Sequence, residues 1–163
     1  MTSPVPRDKK TVMVIAFDGS PTARRAVDYA ARFLTADRAV VLTVWSPMDR
    51  GAEVGSYDYD LDGPPDPVDE DAEVDIALVE AQRINDEGLE LALDLGLPAE
   101  PLRLAVAYTV WQTIIDAADD LDADLIVTGT RATTSFRSLL QSSVADHVLR
   151  RGHRPVLIVP PGP

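Results

Sequence analysis

The sequence predicts a single-domain α/β protein built on a doubly wound parallel sheet of five strands. Residues 124–160 carry two short apolar runs, Leu125-Ile126-Val127 and Val156-Leu157-Ile158-Val159, joined by a segment with Leu140, Val144 and Val148 at helical spacing. Parallel strands are buried on both faces and need a long crossover, so this pattern reads as a β-α-β unit. The same alternation of apolar run and helical period recurs along the whole chain, without an internal repeat. A length of 163 residues suits one domain with a real core.

Taken in order, Thr11–Phe17 is the first buried strand, and Asp18-Gly19-Ser20-Pro21 ends it. Ser20 suits an N-cap and Pro21 the first helical position. Ala23, Ala26, Val27, Ala30, Phe33 and Leu34 then recur at helical spacing, and Ala39–Trp45 is the second strand. Residues 46–71 break the pattern, being rich in Asp, Gly and Pro, and are expected to form an acidic, mobile insertion. A long helix is expected from about Ala72 to Leu95, with Val74, Leu78, Ala81, Ile84, Leu91 and Leu95 as its apolar stripe and Gly96 as its stop. Leu102–Val106 is the third strand, which Arg103 interrupts. Thr109–Leu121 is the third helix, with Val110, Ile114, Ala118 and Leu121 inward. Right-handed crossovers turn this β-α-β-α-β-α-β-α-β order into a sheet covered by helices on both faces.

Composition excludes several classes of function. There is no cysteine, hence no disulfide and no thiol chemistry. A net charge of −12 disfavours nucleic acid and anionic membrane surfaces as partners, since both are polyanions. No apolar run approaches the roughly 18 residues that span a membrane. The opening residues 1–10, MTSPVPRDKK, lack an apolar signal core and are expected to be a disordered tail on a cytoplasmic protein.

Candidate sites follow from where chemistry-bearing residues fall. The loop after Thr128-Gly129 sits at the carboxyl end of a strand and leads into a helix N-terminus, a place where open α/β sheets bind ligands and where anions are favoured. It carries Thr130, Arg131, Thr133, Thr134, Ser135, Arg137 and Ser138, hydroxyls and guanidinium groups that suit phosphate. Asp58, Asp60, Asp62 and Gly63 match the first half of a calcium loop, with Asp69 at its twelfth position. The bidentate Glu is missing there and Pro64, Pro65 and Pro67 crowd the second half, so a solvated acidic segment is the better reading. His147 and His153 lack partners at a recognised metal-ligand spacing, and no Ser-His-Asp arrangement or defined general base is apparent. The basic run Arg150-Arg151-Gly152-His153-Arg154 suits the C-terminal end of a helix. Tyr108 and Trp111 are suited either to stacking on a ligand or to packing.

Four segments carry a family resemblance: VMVIAFDGSPTARRAVDYAARFL, VLTVW, ADLIVTGTR and HVLRRGHRPVLIVP. Together, over residues 11–160, they resemble a universal stress protein. The resemblance implies a flavodoxin-like sheet, a non-enzymatic role in stress response, and a homodimer whose last strands meet across a two-fold axis. Its ATP-binding branch resembles the pattern Gly, two residues, Gly, nine residues, Gly, then Ser or Thr, which falls here on Gly129, Ala132, Ser142 and Ser143 with spacing intact. By resemblance, Asp18 lies near the nucleotide, where it orients the ribose or a magnesium ion, Val44 lines the adenine, and Ser143 and Val144 lie beside the phosphates. As a turn residue, Asp18 also has a purely structural reading. Arg131 adds positive charge to the loop. The chain departs from the pattern at Ala132 and Ser142, which replace glycines, and at Tyr108-Thr109-Val110, where the family has Gly-x-Pro. Three functions therefore stand: a regulatory homodimer binding ATP with magnesium, a dimer of the same fold that binds no nucleotide and engages an unknown protein partner, and, weakest because no catalytic base is apparent, an ATP hydrolase.

Overall fold

A computed structural model describes residues 9–47, 70–130 and 144–163, with residues 70–75 as backbone only. The elements are β1 (Val12–Ala16), α1 (Pro21–Phe33), β2 (Arg38–Trp45), α2 (Glu70–Asp94), β3 (Ala99–Ala105), α3 (Val110–Asp120), β4 (Leu125–Gly129), α4 (Val144–Arg151) and β5 (Val156–Val159). They form one five-stranded parallel sheet in the order β3-β2-β1-β4-β5. The doubly wound α/β class is therefore observed. The tail before Lys9 and residues 48–69 of the insertion, with its calcium-loop-like run, lie outside the described residues.

Successive strand residues face opposite sides, and each side has its own core. Met13, Ile15, Phe17, Val41 and Val127 pack against Ala23, Ala26, Val27 and Ala30 of α1 and Ala92 of α2. Val12, Val14, Val40, Leu42 and Ile126 pack against Ile114, Ile115, Ala117 and Ala118 of α3 and Val148 of α4. Each fully buried Val, Leu or Ile contributes about 1.5–3 kcal/mol, so the paired cores dominate the stability.

The helices differ from expectation in which residues they bury. Of the expected α2 stripe, Ala81 is buried and Ile84 and Leu91 pack on the core, whereas Leu78 and Leu95 are exposed and the sheet-facing positions also include Asn85, Gly88 and Ala92. The apolar period read from the sequence tracks large side chains, but a helix lying close on a sheet buries small ones. Val74 lies outside the described side chains. In α1, Phe33 is 66% exposed and stacks at 5.5 Å on Tyr29, with the Arg32 guanidinium over its ring. In α3, Val110 is exposed because it lies in the first turn, beside the N-cap Thr109. The third strand starts three residues earlier than expected, at Ala99. As an edge strand it tolerates Pro101, which lies opposite Val41, and it turns Arg103 outward to within 3.9 Å of Asp86.

The amino end of the sheet is fastened by carboxylates. Asp37 Oδ2 accepts from the Thr11 amide at 2.8 Å and from its hydroxyl at 2.9 Å, and Asp124 accepts from the Val12 amide at 2.9 Å. The two Thr11 hydrogen bonds hold the Asp37 carboxyl below the ordinary carboxylate range. A lowered folded-state pKa stabilises the fold above the unfolded value, and that contribution is lost as pH falls through the folded one. Asp37→Asn mimics the protonated form. Its urea midpoint is expected below wild type at neutral pH, with the gap shrinking below about pH 4 and closing in stronger acid. A gap that persists unchanged into acid would refute the assignment.

Candidate functional site

The sheet changes winding direction between β1 and β4, where the chain leaves one strand for α1 on one face and the other for α4 on the opposite face. Such a switch point opens a crevice at the carboxyl ends of the strands. At its first side, Phe17 ends β1 with both backbone groups held: its N–H donates to Leu42 O at 2.8 Å, and its C=O accepts from Thr43 Oγ1 at 2.9 Å. Asp18 follows, exposed, and its Oδ1 accepts from the Ser20 amide at 2.9 Å. Gly19 takes φ +78°, a left-handed conformation suited to glycine. Ser20 caps α1, its hydroxyl accepting from the Ala23 amide at 3.2 Å, with Pro21 first in the helix.

On the second side, β4 delivers Gly129 and then buried Thr130, whose amide donates to Val159 O at 3.0 Å. A Cβ on Gly129 would lie 2.7 Å from the backbone carbon and oxygen of Thr22, so this glycine is required where β4 meets the first turn of α1. The motif's first glycine thus has a packing role whether or not phosphate binds. Of the residues assigned to the site, Asp18, Val44, Gly129 and Val144 are placed here. Arg131, Ala132, Ser142 and Ser143 lie outside the described residues, as do the other hydroxyls of that loop.

Val44 and Val144 are half-buried and share one rim with Ala16 and Trp111, all packed on the α3/α4 core. This rim is apolar, at the carboxyl end of the sheet, and suits a planar base. Trp111 stacks on His147 at 5.2 Å and 18°, and the Arg151 guanidinium lies 5.3 Å from its ring centroid. Tyr108, by contrast, is 89% exposed. Asp146, His147, Arg150 and Arg151 line a surface cleft of about 380 Å³. Arg150 there donates to Asp146 at 2.8 Å, and Arg154 donates to Ala123 O at 2.8 Å and Asp119 at 2.7 Å. The basic run is therefore braced internally. Among the described residues there is no group of three or more His, Cys, Asp or Glu placed to hold a metal, and no helix long and apolar enough to cross a membrane.

Sequence reasoning passed over Asn85 and Gly88. Asn85 is fully buried in α2 and its Nδ2 donates to Val41 O at 2.9 Å, Thr43 Oγ1 at 3.0 Å and Leu102 O at 3.2 Å. A Cβ on Gly88 would come within 2.5 Å of the Phe17 ring. The signal was present as an Asn and a Gly on the inward side of a helix otherwise rich in good helix formers.

Gly129→Ala is expected to lower the melting temperature of nucleotide-free protein by about 3–10 °C, since forcing a methyl into packed backbone costs about 1–3 kcal/mol. An unchanged melting temperature would show that β4 and α1 can separate at no cost.

Comparisons with known proteins agree with this architecture. The Universal stress protein family model matches residues 10–160. A universal stress protein of Mycolicibacterium smegmatis is 34% identical over 91 residues, 56% of this chain and 68% of that protein. Universal stress protein MJ0531 of Methanocaldococcus jannaschii is 44% identical over 46 residues, 28% of this chain and only 27% of that protein. Among solved structures, a universal stress protein family member from Burkholderia pseudomallei superposes with TM-score 0.65 at 24% identity, covering 96% of this chain and 100% of that one. One from Archaeoglobus fulgidus in complex with dAMP gives 0.56 at 24%, covering 93% and 98%. A universal stress protein in complex with cAMP gives 0.63 at 22%, covering 94% and 98%. With its model matched over nearly the whole length and its sheet order and switch point in place, this chain belongs to the universal stress protein family.

Proposed function

We propose that this protein is a cytoplasmic regulatory homodimer that binds an adenine nucleotide, ATP with magnesium, in the crevice between β1 and β4. The observation that carries the reading is the apolar rim of Ala16, Val44, Trp111 and Val144 lying at the same strand ends as Asp18 and Gly129. The base lies on that rim, the ribose reaches Asp18, and the phosphates follow the loop from Gly129 through Arg131 and Ala132 to Ser142, Ser143 and Val144. Magnesium rides on the phosphates, as this ion commonly does, with at most one carboxylate from the protein. The dAMP and cAMP complexes of similar folds support an adenine ligand. Binding shifts the population of loop conformations and so selects a protein partner. The role is regulatory rather than catalytic.

A second reading, a partner-binding dimer that takes no nucleotide, is favoured by Ala132 and Ser142 where the motif has glycines. Thermal unfolding of nucleotide-free protein separates the two. Millimolar ATP and magnesium, at about 100 times the dissociation constant, add about 2.7 kcal/mol. The melting temperature should then rise by about 5–10 °C, with no rise for GTP. Ser143→Glu should abolish the rise. No shift with ATP, from protein shown free of bound ligand, selects the second reading.

The two edges of the sheet support a dimer through β5. The β3 edge carries Pro101, Glu100 paired with Arg38, and the outward Arg103, all features that discourage strand addition. The β5 edge presents half-buried Val156, Leu157 and Ile158. Ile126 and Thr130 donate to Pro155 O and Val159 O, so the backbone groups of Val156 and Ile158 face away from β4. Ile158→Pro should therefore leave the fold intact and convert dimer to monomer in sedimentation analysis. A variant that sediments as wild type would move the interface elsewhere.

A further inference from the structure

Asn85 is 0% exposed in the middle of α2, yet its hydrogen bonding is one-sided. Nδ2 faces three acceptors, Val41 O, Thr43 Oγ1 and Leu102 O, while Oδ1 is buried without a partner among the described residues. An apolar side chain of equal volume would remove that orphaned oxygen but also the donor that meets these acceptors, so the reason for an amide lies in what Nδ2 holds.

Thr43 is buried, and its hydroxyl has a single hydrogen, which it donates to Phe17 O at 2.9 Å. That leaves the hydroxyl oxygen as an acceptor, and Asn85 supplies the donor at 3.0 Å. The chain of bonds therefore has a fixed direction, from Asn85 through Thr43 to the carbonyl immediately before Asp18. The same stretch of α2 holds the turn at two more points. Gly88 leaves the space that the Phe17 ring fills, and the position a Cβ would take on Gly19 lies 3.6 Å from Ile84. Phe17 and Gly19 flank Asp18, and both rest on α2.

We propose that Asn85 is a positioning residue: acting through Thr43, it sets the Phe17–Ser20 turn and thereby aims the Asp18 carboxylate into the crevice. The proposal deepens the nucleotide reading above and rests on it only for the identity of what Asp18 meets. It makes α2, which joins β2 to β3 and among its described residues supplies none to the crevice itself, part of the binding apparatus.

The test uses the full chain, with Asn85→Leu, Thr43→Val and Thr43→Ser, each alone and with Asp18→Ala. Exchange of the Ser20 amide, which donates to Asp18 Oδ1, is followed in nucleotide-free protein; melting temperature and ATP affinity are measured in parallel. Asn85→Leu and Thr43→Val are expected to speed Ser20 exchange by about tenfold through local opening of the turn. They should weaken ATP by about 5- to 20-fold, within the range of couplings seen in one hydrogen-bond network. Thr43→Ser, which keeps the hydroxyl, should retain wild-type behaviour, and Asn85→Leu should cost no further affinity once Asp18 is Ala. Unchanged Ser20 exchange in Thr43→Val, or losses that simply add to those of Asp18→Ala, would overturn the proposal. If Asn85→Leu does not fold, the Thr43 pair decides it. If wild type binds no ATP, the nucleotide reading fails, and Ser20 exchange still decides whether Asn85 sets the turn.

Discussion

The structure depends on how near its helices come to the sheet. Where α1 and α2 meet strand ends at the crevice a side chain is missing, Gly129 against Thr22 and Gly88 against Phe17, and Ala23, Ala26 and Ala30 keep the buried side of α1 small along its length. Each is a place where backbone or ring occupies the space that a larger residue would take. Interiors are packed as densely as organic crystals, so such contacts fix distances rather than merely permit them. The crevice inherits its shape from these spacings: the β1–α1 turn is held by α2 from one side, and the end of β4 is held by α1 from the other.

This explains what could be read from the sequence and what could not. Fully apolar strands announce themselves, and all five were visible as runs, with β5 recovered at both ends. The first cap was legible too, because Ser20-Pro21 has local chemistry that does not depend on the rest of the fold, whereas Thr109, read as helical, turned out to be a cap. Helix orientation was less legible. Large apolar residues mark an expected inward stripe, but Phe33, Leu78 and Leu95 turned outward while Ala, Gly and Asn turned in. The start of β3 was obscured because Pro98 and Pro101 read as breaks, although an edge strand accommodates them. At the site, the motif located Asp18, Val44, Gly129 and Val144 at the sheet's carboxyl end, yet it was silent on Thr43 and Asn85, whose partners lie 26 and 42 residues away.

The charge of the chain is also organised by this frame. A run of arginines near the end of an acidic protein invites reading as a docking patch. In the fold, Arg150 is taken by Asp146, Arg154 by Asp119 and a carbonyl, and Arg151 by the face of Trp111. These contacts tie α4 to α3 and α3 to the loop before β5. Exposed ion pairs of this kind contribute little individually, but together with the Arg151–Trp111 contact they brace the carboxyl end of α4 and the loop after it against α3.

The unequal edges of the sheet carry a consequence for how many chains can associate. A sheet whose two different edges can join each other head to tail can, in principle, propagate without limit, and that is the route to fibres. In this sheet β3 is the less receptive edge: Pro101 offers no N–H there, and the flanking Glu100 and Arg103 are charged. The β5 edge is the more receptive one, and a self-complementary contact there would be isologous and would end association at two chains. With a single receptive edge, concentration alone would not drive the sheet to polymerise.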